Sequence, residues 1–235
     1  MNYTYKKISV IAAHPDDEIL GCGGTIFKFS RLGCIIDVLI LSEGITARYK
    51  NDKDSINKEE LEALNDKCRK ANKIIGTSSV TIKNFPDNRF DSIDLLKIVK
   101  TIEEFLDDKR PEVVFTHHRG DLNIDHQITN KAVVTACRPI AKWSPNILFS
   151  FDILSSTEWN FGYRENLFSP NVFINIENEI IKKIEAIKCY DSEISKFPFP
   201  RSIEAVEFQA KRYGAISNNY AAEGFELLMW RNLLS

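Results

Sequence analysis

The chain has 235 residues, 43% hydrophobic and 27% charged, enough for one sizeable soluble domain with a buried core. Lys plus Arg number 31 against 33 Asp plus Glu, a formal net charge of -2, which gives no broad electrostatic case for nucleic acid or an anionic membrane. Five scattered cysteines without a C-x-x-C pair point to reduced thiols in a cytoplasmic protein. The polar start Met1–Lys7 runs straight into a short apolar strand, and no stretch nears the roughly 18 apolar residues of a membrane span.

Ile8–Ala13 reads as a buried strand. Gly21–Leu32 follows as a helix with Ile26, Phe27, Phe29 and Leu32 on its apolar side and Gly33 as its stop. Ile35–Leu41 is a second strand. Asn57–Ile75 sets Leu61, Leu64, Cys68, Ala71 and Ile75 at helical spacing and closes at Gly76. Val80–Lys83 is a short strand, and Pro86-Asp87-Asn88 a turn. Ser92–Leu106 is an amphipathic helix with Ser92 as N-cap and Asp94 in its first turn. Val113–Thr116 is a strand and Ile128–Cys137 a helix ended near Pro139. Ile147–Ile153 and Val172–Ile176 read as strands and Glu179–Lys188 as a helix. Lys196–Arg201 is a proline-punctuated loop before a helix over Ser202–Tyr213. The alternation argues for βαβ units, a parallel sheet and an α/β fold. No linker divides the chain, so residues 1–235 are expected to form one domain whose last third walls part of a cleft.

Ligands of such sheets bind beyond the carboxyl ends of the strands. Two of those ends are dense in polar residues, Ala13 to Glu18 and Thr116 to His126, and they hold all four histidines. His14 and Asp17, three apart where a loop turns into a helix, can converge on one ion, and His126 can supply a third ligand from across the sheet. Two imidazoles and one carboxylate make a zinc site with an open position, the hydrolytic pattern, although iron or another divalent ion suits the same donors. Asp16 is the spare carboxylate, placed to act as general base. The competing reading, a helix N-terminus charge cluster, explains Asp16, Asp17 and Glu18 but not the histidines.

At these residues the sequence resembles the LmbE-like family, which includes the phosphatidylinositol-glycan class L deacetylases. The shared run is A-H-P-D-D-E-x-L-G-x-G-G-T over Ala13 to Thr25, with a later T-H…D-x-N-x-D-H over Thr116 to His126. Leu41–Gly44 (L-S-E-G) and Ala222-Glu223-x-Phe225 are further family-like features. The resemblance implies a Rossmann-like three-layer sandwich and zinc-dependent hydrolysis of N-acetyl groups on glucosamine-type sugars. It matches His14, Asp17 and His126 to the metal ligands and Asp16 to the base. One departure matters: several members have H-P-D-H in the second segment, and its first histidine corresponds here to Asn123. Either the metal and Asn123 alone stabilise the oxyanion, or His117 or His118 takes that role, His117 being favoured.

Asp125 is expected either to orient an imidazole from behind or to cap the following helix. Asp121 is read as a contact for sugar hydroxyls or a turn stabiliser, and Arg48 and Arg119 as contacts for a phosphate or hydroxyl of substrate, each with a solvated surface residue as the plain alternative. Arg89, Asp87 and Glu223 carry weaker signals, and Trp159, Phe161 and Tyr163 form either a sugar-stacking wall or ordinary packing. Gly21, Gly23 and Gly24 superficially match a dinucleotide fingerprint. The third glycine is missing, and three carboxylates precede them, so close helix–sheet packing is the expected role. A metal-binding carbohydrate-binding protein without turnover and a deacylase of other N-acyl amides are the rival functions. The expected partner is a small N-acetylated sugar, with homo-oligomerisation left open.

Overall fold

The computed structural model describes residues 5–48, 57–161 and 164–231. Its elements are β1 (Lys7–Ala12), α1 (Asp17–Arg31), β2 (Ile35–Ser42), α2 (Lys58–Ile74), β3 (Ser79–Phe85), α3 (Leu95–Lys109), β4 (Val113–His117), α4 (Ile124–Ala136), β5 (Ile147–Phe151), β6 (Val172–Asn175), α5 (Ile180–Ile187), α6 (Ile203–Ser217) and β7 (Ala222–Trp230). Among the described residues the strands form one sheet in the order β3-β2-β1-β4-β5-β7-β6. The first five in that order run parallel, and β7 is antiparallel to both its neighbours.

Alternation along the strands builds two cores. Ile8, Val10 and Ala12 of β1 point to the face covered by α1, α2 and α5, whereas Ile11 and Ala13 point to the face covered by α3 and α4. The result is a mostly parallel sheet between helical layers, as expected from the sequence.

Several boundaries differ from the sequence reading. Asp94, not Ser92, caps α3, its side chain accepting from Leu96 N at 2.9 Å. The helix expected from Ile128 begins at Ile124, because Asn123 accepts from Asp125 N at 2.8 Å and starts the turn early. β7 was not anticipated: an antiparallel strand inside a parallel pattern has no crossover helix to announce it.

α1 is bent where Cys22 leaves helical geometry (φ -147°, ψ 23°). The break exposes backbone groups on either side, and two buried charges serve them. Lys183 Nζ donates to Leu20 O (2.8 Å) and to Glu223 Oε1 (2.6 Å), while Glu223 accepts from Gly24 N (3.0 Å) and Thr25 N (2.7 Å). Glu223 is therefore enclosed at the bend, 4% exposed, and does not face the cleft. The glycines around it allow the helix to lie against the sheet: a Cβ at Gly21 would overlap the Phe151 ring, and one at Gly24 would come within 2.9 Å of Ile176. Glu223→Leu should cost about 3–5 kcal/mol in denaturant unfolding, because it strands the Lys183 ammonium in the core. A loss below about 1 kcal/mol would show that the bend does not need the pair.

Candidate metal-binding active site

The strand order reverses between β1 and β4, where one half of the sheet winds outward to β3 and the other to β5. Loops leaving two such neighbours diverge to opposite faces, and a crevice opens beyond their carboxyl ends. His14 to Asp17 follow β1 there, and the loop ending in Asp125 and His126 follows β4.

His14 Nδ1, Asp17 Oδ2 and His126 Nε2 form a triangle with sides of 3.3 Å (His14–Asp17), 3.3 Å (His126–Asp17) and 3.2 Å (His14–His126). Zinc bonds of about 2.0–2.1 Å at tetrahedral angles set donor atoms about 3.3–3.4 Å apart, so this donor set fits a small divalent cation. A carboxylate stands behind each imidazole. Asp125 Oδ2 lies 3.0 Å from His14 Nε2, and Asp121 Oδ1 lies 3.1 Å from His126 Nδ1. Both carboxylates are themselves fixed. Asp125 accepts from Asn88 N (2.7 Å) and Phe90 N (2.9 Å), and Asp121 from Asn123 N (2.8 Å), Thr157 Oγ1 (2.5 Å) and the Ser156 hydroxyl. Such partners select the tautomer that leaves the inward nitrogen free to bind.

Electrostatics follow from packing these groups together. Burial opposes protonation of His14 and His126. The carboxylates of Asp125, Asp17 and Asp87 nevertheless hold the first well above its usual pKa, and Asp17 and Asp121 lift the second to about 9. Asp17 ends well below the usual carboxylate range, because the His126 charge and the hydrogen bonds from His126 and His14 outweigh its burial. Asp16 moves the other way, to about 7, since burial and the Asp17 charge outweigh the opposing pull of Arg201.

A cavity of about 220 Å³ opens at the triangle, lined by His14, Pro15, Asp16, Gly44, Ala47, Asp87, Asn88, Asn123, Glu193 and Arg201. Asp16 sits on its wall in a left-handed backbone conformation (φ 111°), with Arg201 Nη1 donating to Oδ2 at 2.6 Å. Asn123 also lines it, but its Oδ1 caps α4 and its Nδ2 donates to Asn88 Oδ1 at 2.8 Å.

Other expected contacts lie elsewhere. His117 is fully buried, stacked on His126 (4.0 Å) and edge-on to Phe151, with Nε2 accepting from Ala13 N at 2.9 Å. Burial first, then the neighbouring His126 charge, pushes its pKa well below normal, so it is a neutral packing element and not an acid at the cavity. His118 turns to Glu226 (2.8 Å) and Asn166 O (2.7 Å). Asp121, 0% exposed behind His126, cannot meet a sugar hydroxyl. Arg119 is exposed beside α4, where its Nη2 donates to Glu165 O at 3.3 Å, and it lines a separate groove. Arg48 ends the short turn Thr46–Arg48, but its side chain, like all of Tyr163, lies outside the described residues. Trp159 packs edge-on to Phe199, and Phe161 is exposed. The sequence reading passed over Arg201 and Glu193, and nothing in the KFPFPR run ties residue 201 to residue 16.

The fold and site thus define a doubly wound α/β protein with a His–Asp–His donor set at its switch point. A family model described as GlcNAc-PI de-N-acetylase (PIG-L) matches residues 9–137, and the chain belongs to that family. The uncharacterized deacetylase YaiS of Escherichia coli is 28% identical, over 80% of this chain and 91% of its own. The diacetylchitobiose deacetylase of Thermococcus kodakarensis is 25% identical, over 95% of this chain and 83% of its own. Among solved structures, N,N'-diacetylchitobiose deacetylase from Pyrococcus horikoshii superposes with a TM-score of 0.75 at 19% identity, covering 95% of this chain and 84% of that one. Among the described residues, no helix is long and apolar enough to cross a membrane.

Two predictions follow from these contacts. Asp121→Asn or Asp125→Asn should weaken metal binding about 10- to 100-fold in a competitive chelator titration, with the ligands intact. The His118–Glu226 pair gives a pH signature. Glu226, with Asn166 O, raises the His118 pKa against burial, so that contribution is complete below the ordinary value of 6.5 and lost as pH rises through the folded value. His118 lowers the Glu226 pKa against burial, so that contribution is present above the ordinary value of 4.5 and lost as pH falls. Glu226→Gln should therefore lower the unfolding temperature most near pH 6 and less at alkaline pH; equal losses at both would remove the ion pair from the account.

Proposed function

We propose that this protein is a metal-dependent N-deacetylase acting on an amino-sugar substrate, with zinc as the cation that suits its donors. The observation that carries the reading is the triangle of His14, Asp17 and His126 with a spare carboxylate, Asp16, on the wall of the same cavity. When bound, the cation supplies Lewis acidity, polarising an acyl oxygen and lowering the pKa of a nearby water. Asp16 accepts the proton of the attacking water and hands it to the departing amine, a task suited to a carboxyl held near pH 7. His14 and His126 stay oriented by Asp125 and Asp121 throughout.

The cavity is smaller than the roughly 300–1,000 Å³ of sites for drug-sized ligands and suits a monosaccharide-sized group. Its wall carries Asp16, Asp87 and Glu193 against Arg201, which favours hydroxyl donors over a phosphate near the reacting end. Membership of a GlcNAc-PI de-N-acetylase family and likeness to diacetylchitobiose deacetylases support an N-acetylglucosamine-type substrate. A cytoplasmic location is consistent with the reading.

Purified protein should contain one metal per chain and release acetate from N-acetylglucosamine or N,N'-diacetylchitobiose in a chelator-sensitive way. Asp16→Asn should keep the metal and lose about 10²- to 10⁴-fold in kcat, whereas His14→Ala and His126→Ala should lose the metal. An active Asp16→Asn variant would sink the base assignment, and bound metal without acetate release from any sugar would move the search to other amides.

A further inference from the structure

Asp16, 4% exposed, is held at both its backbone and its side chain. Its backbone O accepts from Ile19 N (3.0 Å) and Leu20 N (2.9 Å), and its N–H donates to Glu18 Oε2 (3.1 Å), which fixes the left-handed turn before α1. Those bonds set where the side chain starts but not how the carboxylate is rotated. Rotation is set by one group. Arg201 Nη1 donates to Asp16 Oδ2 at 2.6 Å while Nε of the same guanidinium donates to Ser155 Oγ at 2.7 Å.

Two bonds from adjacent nitrogens of one rigid plane leave the guanidinium little freedom. Its backbone is fixed as well: Arg201 O accepts from Ser195 N (3.1 Å), and the next residue, Ser202, caps α6 by accepting from Ala205 N at 3.1 Å. With Oδ2 occupied, Oδ1 is the Asp16 oxygen without a protein partner among the described residues. Among the described residues Arg201 is also the one arginine or lysine lining this cavity.

We propose that Arg201 is a positioning residue for hydrolysis: by anchoring Oδ2, it presents Oδ1 of Asp16 to the attacking water. The proposal rests on the reading of Asp16 as base. On this proposal the arginine acts through the base, so its removal acts on the chemical step. Lysine does not substitute, because a single ammonium cannot make both bonds with the fork's geometry.

The test is acetate release from N,N'-diacetylchitobiose by the metal-loaded full chain, with metal content and unfolding temperature measured for every variant. Arg201→Met should keep its metal and its KM and lose about 10²-fold in kcat, the scale of a misplaced catalytic group. Arg201→Lys should recover little of that loss, and guanidinium ion at sub-denaturing concentration should restore turnover to Arg201→Ala in a saturable way. Ser155→Ala, which removes only the hydroxyl that steadies the fork, should lower kcat by a smaller factor at unchanged KM. It keeps the question decidable if larger changes at position 201 fail to fold. In an Asp16→Asn background, Arg201→Met should cost nothing further. An equal cost in that background, or a rise in KM with kcat preserved, would overturn the proposal. Full activity of Asp16→Asn alone would instead overturn the base assignment on which it rests.

Discussion

Crowding of negative charge inside the fold is the constraint around which the rest is arranged. Asp16, Asp17, Glu18, Asp121 and Asp125 are each no more than 4% exposed, and an unpaired buried carboxylate costs several kcal/mol. Three kinds of partner relieve four of them. Asp17 and Asp121 face imidazoles, Asp125 gathers two backbone N–H groups, and Asp16 takes the guanidinium of Arg201. Among the described residues no cation faces Glu18. Burial, with the Asp16 charge added, lifts its pKa to about 8, and it sits among Asn72 and Tyr190 as a largely neutral acid at pH 7.

The same crowding makes the triangle receptive to a cation. Protons and metal ions compete for the same imidazole nitrogens. The carboxylates that draw protons onto His14 and His126 therefore describe the field that a divalent cation meets there. Packing supplies the rest: His117, uncharged between His126 and Phe151, is a wall against which the liganding ring rests.

Much of this was legible in the sequence. Apolar runs and helical spacing located the parallel strands, and the two polar segments at strand ends held the residues that the fold brings together. The misreadings share one cause. Proximity along the chain was taken as proximity to the cleft for His117, Asp121 and Arg119, but His117, the last residue of β4, and Asp121 are buried against His126, and Arg119 turns to Glu165 O. Helix starts slipped where an Asx side chain fixed the cap: Asn123 starts α4 ahead of its apolar pattern, and Asp94 starts α3 later than Ser92 would. β7 and Arg201 were invisible for another reason: each owes its place to partners far away in sequence, which no local spacing encodes.

The bend in α1 ties the beginning of the chain to its end. Glu223, on the last strand, closes the helix that carries Asp17 and Glu18, and Arg201 reaches back to Asp16 from just before the last helix. A ribosome releases this chain N-terminus first, so the donor set is synthesised long before the groups that finish its surroundings. The early βα units already carry the histidines that face Asp17 and Asp121, whereas the cation that Asp16 takes, Arg201, lies 185 residues further along. Asp16 is thus the carboxylate of the cluster that waits longest for its partner as the chain is made.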